Sequence, residues 1–202
     1  KTTTLRMLAT LIKPDEGDAV LDGASVMQNP EEVRSKIGFL TSELKLEEFF
    51  TPNFLFDFFA DLHGVSTEEK NARREELFAR FGIDKFAEVK VGNLSTGMKQ
   101  KVSLVISLVH DPDVIIFDEP TNGLDVLTAK VVTDFLVDLK QQGNTIIVST
   151  HIFSLIEKIC DRVGIIVDGQ MVVCDTLQAI TEDKCLEERF FEIYEEKVGS
   201  IA

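Results

Sequence analysis

The stretch Val114-Ile115-Ile116-Phe117-Asp118-Glu119-Pro120-Thr121-Asn122-Gly123-Leu124-Asp125 decides the reading of this chain. Four consecutive apolar residues have the length of a buried strand, and two carboxylates follow at once. Pro120, Asn122 and Gly123 then turn the chain. In open α/β sheets ligands bind just outside the carboxyl ends of the strands, which is where Asp118 and Glu119 fall. Taken alone, an Asp-Glu pair after a strand is also an ordinary solvated loop start. A second apolar run, Ile146-Ile147-Val148-Ser149-Thr150, delivers His151 in the same manner.

Around these two runs the pattern alternates. Strands are predicted over 113–118 and 145–150, and helices over 126–142, closed by Gly143, and over 153–160. Residues 162–167 and 171–174 flank Asp168-Gly169, a strong hairpin signal, and two helices follow over 176–182 and 185–197. Upstream, the stripe Leu5, Leu8, Ala9, Ile12 predicts a helix over 2–12. A short hairpin is expected around Asp22-Gly23, a helix over 30–36 and a strand over 37–41. Strands alternating with helices argue an α/β sheet.

The middle of the chain, 44–110, is instead helical and reads as an insertion into that sheet. Thr51-Pro52 starts a helix that stops at Gly64. Ser66 and Glu69 have capping-box spacing before a helix ending at Gly82, and a third helix starts at Ser95 and reaches about His110.

Composition bounds the class. The 202 residues are 44% hydrophobic and 28% charged, an ordinary globular mix that excludes disorder, collagen-like chains and disulfide scaffolds. Lys+Arg 21 against Asp+Glu 35 leaves a formal net charge of -14, and no basic run interrupts it, which disfavours nucleic acid as a partner. Cys160, Cys174 and Cys185 form no metal-ligand spacing and suit a reducing compartment. No apolar run reaches the ~18 residues of a membrane span, and no signal peptide is expected. The chain begins at Lys1 rather than Met, so an N-terminal segment is expected to precede it.

Two further pieces matter. Lys1-Thr2 opening a helix matches the tail of G-x-x-x-x-G-K-[ST], although the pair alone is common by chance. Leu94-Ser95-Thr96-Gly97-Met98 opens another helix, with Ser95 as N-cap and backbone N–H groups turned outward, which favours an anion. An ordinary capped helix would look the same.

Together these pieces resemble the ATP-binding subunit of ABC transporters, over essentially the whole chain. Lys1-Thr2-Thr3 is similar to the end of the Walker A motif and Leu94 to Met98 to the signature. Val114 to Glu119 resembles Walker B, Asn122 to Asp125 the D-loop, and His151 the switch histidine. The wording Leu-Ser-Thr-Gly-Met-Lys-Gln-Lys is close to sodium-efflux-type exporters and their relatives. The resemblance implies a P-loop NTPase (RecA-like) core, 1–43 and 111–202, with a helical signature subdomain, 44–110. It implies ATP and Mg²⁺ as cofactors. Lys1 would contact the β/γ-phosphates, Thr3 would add a phosphate contact, and Thr2 and Asp118 would hold Mg²⁺. Glu119 would polarise the attacking water and His151 would sense the γ-phosphate. In a head-to-tail dimer Ser95, Thr96 and Gly97 would close over the partner's nucleotide, with Asp125 in the D-loop and Ser42 at the Q-loop position. Transport would need a separate membrane subunit, with this chain at the cytoplasmic face of the membrane.

The sequence also departs from that pattern. Met98 stands where the family has Gln and Thr96 where it has Gly, and Ser42 beside Glu43 replaces the Q-loop residue. The Gly-rich loop and the strands that precede the family's Walker lysine are not in this sequence. Since backbone N–H groups of that loop cradle the phosphates, the chain as given is expected to bind Mg-ATP weakly. Rival readings are a repair- or translation-type ABC ATPase and a non-catalytic remnant. The repair type carries a long coiled coil, whereas only about fifty residues without heptads separate Ser42 from Ser95.

Other residues are read more plainly. His63 and His110 fall near helix C-termini, where an imidazolium suits the dipole. Phe49, Phe50, Phe54, Phe56, Phe58 and Phe59 read mainly as core, but Phe56 lies off the stripe of Phe54 and Phe58, so part of the cluster is expected to be a docking surface. Glu187 to Glu196 reads as a solvated helix face.

Overall fold

The computed structural model describes residues 1–41, 46–182 and 184–199. The chain divides into two compact units, Thr2–Ser149 and Thr150–Ala202 with Lys1.

The larger unit begins with α1 (Thr2–Leu8), the hairpin β1 (Val20–Leu21) and β2 (Ala24–Ser25), α2 (Pro30–Lys36) and β3 (Ile37–Thr41). It continues through α3 (Pro52–Leu62), α4 (Thr67–Phe81), α5 (Thr96–Ile106), β4 (Val114–Asp118), α6 (Val126–Gln141) and β5 (Thr145–Ser149). Strands β3, β4 and β5 form a parallel sheet with β4 in the centre. All five residues of β4 are buried, as its unbroken apolar run requires. The register runs from Ile37, Val114 and Thr145 to Thr41, Asp118 and Ser149. One face of this sheet carries Ile37, Phe39, Val114, Ile116 and Ile147, and against it pack Leu5 and Ala9 of α1, Leu21, Ala24 and Val33. On the opposite face the chain leaving α5 comes very close. A Cβ added at Gly38 would lie 2.5 Å from the Ser107 carbonyl oxygen and 2.8 Å from Pro112 Cγ.

Local chemistry sets the helix limits. Thr51 caps α3 through Phe54 N (3.2 Å). Ser66 and Glu69 close a reciprocal capping box on α4, which ends at Gly82 with φ +66°. Asp22 and Gly23, at φ +46° and +80°, make the expected tight hairpin turn. Two helices are shorter than the apolar stripes predict. α1 ends at Leu8, not Ile12, because Thr10 adopts φ +60° while Thr10 N donates to Met7 O (3.0 Å) and Leu11 N to Arg6 O (2.9 Å). That is a Schellman closure without the customary glycine, so no residue type announced it. α5 ends at Ile106, where Leu108 and Val109 tighten to i→i−3 bonds and Asp111 turns at φ +55°.

The helical middle is joined to α6 by Arg80, which pairs with Asp138 and lies 4.7 Å above the Phe135 ring. Of the phenylalanines singled out above, Phe56 alone is fully buried, edge-on to Phe78. Phe49, Phe54 and Phe58 are exposed, which corrects the reading of the cluster as mainly core.

The smaller unit comprises α7 (Phe153–Ile159), the antiparallel pair β6 (Arg162–Val167) and β7 (Gln170–Thr176), α8 (Leu177–Thr181) and α9 (Leu186–Gly199). Asp168 and Gly169, at φ +48° and +78°, make its turn. Val163, Ile165, Val167, Ile180, Leu186 and Ile193 form its core.

His63 and His110 are also corrected. Their rings stack at 3.8 Å, and His110 Nε2 donates to Ile37 O at 3.0 Å. The His110 Nδ1 is buried with no partner among the described residues. Burial, then the neighbouring His63 and Arg73, push the His110 pKa down to about 4 against the pull of the Ile37 carbonyl and Asp111, and burial also lowers His63. Both are therefore neutral at pH 7 rather than dipole-bound cations.

Two outcomes follow from this packing. Gly38→Ala is expected to lower stability by about 1–3 kcal/mol, because backbone must move to admit the methyl group; a urea titration checks this through a lower midpoint at unchanged slope. For His110 the unfolded chain, with an ordinary pKa near 6.5, binds more protons than the folded chain down to about pH 4. Its contribution is thus fully present above 6.5 and is lost as pH falls through that window. Thermal melts from pH 7 to 4.5 are expected to fall for the parent and to fall less for His110→Gln.

Candidate functional site

At the carboxyl ends of the three parallel strands the register sets Thr41, Asp118 and Ser149 side by side on one face of the sheet. The apolar rows beneath them belong to the cluster that α1 covers. All three are buried, with Asp118 3% and Ser149 8% exposed. Neither Asp118 Oδ1 nor Ser149 Oγ has a hydrogen-bond partner among the described residues. An unpartnered buried polar group costs about 1–3 kcal/mol, so two at adjacent positions mark a place built for something else to bind.

Immediately after Asp118 the chain turns. Glu119 is held at φ +52°, its N–H donating to Ser149 O (2.8 Å) and its carbonyl accepting from Asn122 N (3.1 Å). A left-handed conformation in a non-glycine residue costs of order 1–3 kcal/mol, and such strain collects at functional sites. Glu119 is partly exposed, while Pro120 and Thr121 are buried, so the turn is anchored under its carboxylate.

The loop ends at Asp125, the N-cap of α6. Its Oδ1 accepts from Leu127 N and Thr128 N, each at 3.1 Å, and its Oδ2 from the Thr128 hydroxyl at 2.7 Å. These bonds, the Thr128 hydroxyl foremost, hold the Asp125 pKa below the usual carboxylate value. Asp125 therefore shapes the loop. Ser95 caps α5 through Met98 N (3.3 Å), and Ser95 and Thr96 are exposed at its start. Gly97 comes next to this same loop, since an added Cβ would meet only Leu124 Cδ2, at 3.9 Å.

Thr2 begins α1 and is half-buried, and Thr3 is exposed. Lys1 and His151 belong to the smaller unit, where Lys1 Nζ donates to Thr150 O (3.4 Å) and His151 is exposed. Ser42 lies outside the described residues. The larger unit thus brings together Asp118, Glu119 and Asp125, with Ser95–Gly97 reaching the same loop through Leu124.

Thr41 and Ser149 escaped the sequence reading. Each is a hydroxyl residue at the end of a predicted strand, but only strand pairing makes them neighbours of Asp118. The donor set fits Mg²⁺. Among the described residues no cluster of three or more His, Cys, Asp or Glu could hold a metal alone. One carboxylate with hydroxyls suits a hard cation that keeps waters and shares phosphate oxygens, as Mg²⁺ does.

Known proteins resemble this chain in sequence and fold. A family model described as ABC transporter matches residues 1–122. The chain is 37% identical over 185 residues to the ABC transporter ATP-binding protein NatA of Bacillus subtilis, covering 91% of this chain and 75% of that protein. It is 34% identical to the Nod factor export ATP-binding protein I of Burkholderia lata, covering 91% of this chain and 60% of the relative. Among solved structures, an ATP-binding subunit of an ABC transporter superposes with TM-score 0.90 at 28% identity, covering 96% of this chain and 83% of that one. A dimeric post-hydrolysis ATP-binding cassette bound to ADP and Pi superposes with TM-score 0.75 at 26% identity, covering 87% and 80%.

Proposed function

The chain belongs to the ABC transporter family of ATP-binding proteins, and on that premise we propose that it binds and hydrolyses ATP to drive a separate membrane subunit, in the export direction. The observation that carries the reading is Asp118, a buried carboxylate at the end of the central strand whose Oδ1 has no partner among the described residues. Thr2 and Asp118 would hold Mg²⁺, which when bound neutralises charge on the phosphates. The Lys1 ammonium would offset the β/γ-phosphates, with Thr3 donating a further hydrogen bond. Glu119, aimed by its left-handed backbone, orients the attacking water and draws on its proton. His151 donates to the γ-phosphate.

A head-to-tail dimer completes the site. Ser95, Thr96 and Gly97 present the start of an 11-residue helix to the partner's nucleotide, where the helix dipole carries roughly +0.5 charge. Among the described residues only Leu124 Cδ2, at 3.9 Å, would meet a Cβ at 97, which leaves room for a phosphate to approach the backbone. Beside the Asp125 cap, Val126 and Leu127 are 85% and 77% exposed, an apolar pair suited to a partner surface. The core over 1–43 and 111–202 binds nucleotide, and the helical part over 44–110 carries the signature.

No helix among the described residues is long and apolar enough to cross a membrane, and on this reading another subunit carries out the transport. Phe49 is 79% exposed, and Phe50, just before α3, stacks with Phe54 and Phe58 of α3 beside a groove of about 370 Å³ that they line with Leu46, Glu47, Leu55 and Phe59. This face docks the membrane subunit, which places the chain at the cytoplasmic face of the membrane. The reading draws support from the export named for one relative and from the dimer named for a structural neighbour.

Two measurements on the full-length protein test this. Glu119→Gln is expected to lower the ATPase rate by ~10²–10⁴ with nucleotide affinity retained; an unchanged rate removes Glu119 from the chemistry. The double substitution Phe49→Ser and Phe54→Ser is expected to abolish co-purification with the membrane subunit while leaving the melting temperature and basal ATPase rate in place. Intact assembly would show that this face does not dock.

A further inference from the structure

We propose that Ser149 is a positioning residue of the metal–nucleotide site, its hydroxyl holding the outer ligands of the metal alongside Asp118, an inference that rests on the ATP-binding reading above. No motif singles out this serine. Its placement comes from the sheet, because β5 pairs with β4 in parallel and sets Ser149 directly beside Asp118. Residues paired in a parallel ladder point to the same face, so the hydroxyl and the carboxylate emerge together at the carboxyl end of the strands.

Two properties separate Ser149 from a serine that merely fits the core. The first is its hydrogen bonding. The buried Ser107 hydroxyl donates to Leu104 O at 2.7 Å, and the buried Ser25 hydroxyl donates to Asp18 Oδ2 at 2.6 Å. Ser149 Oγ is as buried and has no partner among the described residues. A strand offers a side chain no i−4 carbonyl to fall back on, and the row below it on this face is Ile147, Ile116 and Phe39. Were packing alone at issue, Ala or Val at 149 would avoid the orphaned hydroxyl. The second is its neighbour, since among the described residues the other orphaned buried oxygen on this face is Asp118 Oδ1, in the next strand at the same level.

The chemistry of the pair is complementary. An ionised carboxylate only accepts hydrogen bonds, whereas a serine hydroxyl donates one and accepts others. Beside a metal carboxylate, Ser149 would accept from one water of the metal's shell and donate to another, whereas an ionised Asp118 only accepts. Groups that orient metal ligands in this way typically contribute 10–100-fold to metal affinity. Alanine removes both capacities, and threonine keeps them.

The test is a Mn²⁺ titration by electron paramagnetic resonance on the full-length protein with a non-hydrolysable ATP analogue. It is compared with analogue binding in EDTA and with the melting temperature of the nucleotide-free protein. Ser149→Ala is expected to weaken Mn²⁺ binding about 10-fold. It should leave metal-free analogue affinity unchanged and the melting temperature unchanged or higher, because an unpaired buried hydroxyl is removed. Ser149→Thr is expected to restore the Mn²⁺ affinity. Wild-type Mn²⁺ affinity in Ser149→Ala overturns the proposal. A parallel loss of melting temperature and metal-free affinity also overturns it, by making Ser149 structural. A parent protein that takes up no Mn²⁺ with the analogue overturns the ATP-binding reading itself, and this inference with it.

Discussion

The in-register parallel pairing of β4 between β3 and β5 is the constraint on which the rest of the larger unit depends. A strand paired on both edges and covered on both faces has to be apolar along its length. Val114 to Phe117 meet that demand, and the first residue that does not is Asp118. The carboxylate is thus carried to the rim of the sheet by the same pairing that buries the residues before it. Its neighbours across the ladder are hydroxyls, Thr41 and Ser149, where every level below presents apolar side chains or, at the far end, Thr145. The sheet therefore changes from core to site within one residue, and the left-handed turn at Glu119 is pinned by a further bond to Ser149 O.

What surrounds the sheet is assembled by two kinds of interaction. Caps act locally: Ser66 with Glu69, Thr51 with Phe54 N, and Asp125 with Thr128 each satisfy donors that a helix start leaves open. Close approaches act at a distance. Gly38 admits the Ser107 carbonyl against the sheet, His110 reaches back to Ile37 O, and Arg80 ties α4 to α6 through Asp138 and Phe135. The caps set where elements begin, and the distant contacts bind the helical middle to the sheet that carries the carboxylates.

Polarity is distributed to match. Aromatic residues that would be expected inside lie outside, where Phe50, just before α3, and Phe54 and Phe58 of α3 form an exposed stack. Histidines read as helix-end cations are instead stacked on each other and uncharged, His63 exposed and His110 partly buried. Both inversions have a physical source. A helix buries one stripe, and Phe56 and Leu55 occupy it, leaving Phe54 and Phe58 for solvent or a partner. A histidine packed on a second ring beside an arginine loses more by charging than a helix dipole returns.

Local chemistry was legible in the residues themselves. The Asp22-Gly23 and Asp168-Gly169 turns, the capping box at Ser66, the strand over 37–41, the helix over 30–36 and the apolar strand ending in Asp118-Glu119 all follow from residue type and spacing. So did the family, because its motifs are short and keep their order along the chain. The closure of α1 at Thr10 was not legible, since a threonine in the left-handed region gives no signal. Nor were the partial burial of His110 or the exposure of Phe54, because stripe and neighbour are set by which surfaces meet. Above all, Thr41 and Ser149 became part of the site only through the ladder. Each lies on another strand, far along the chain from Asp118, and pairing between distant strands is chosen by the packing of the whole sheet, not by any local preference.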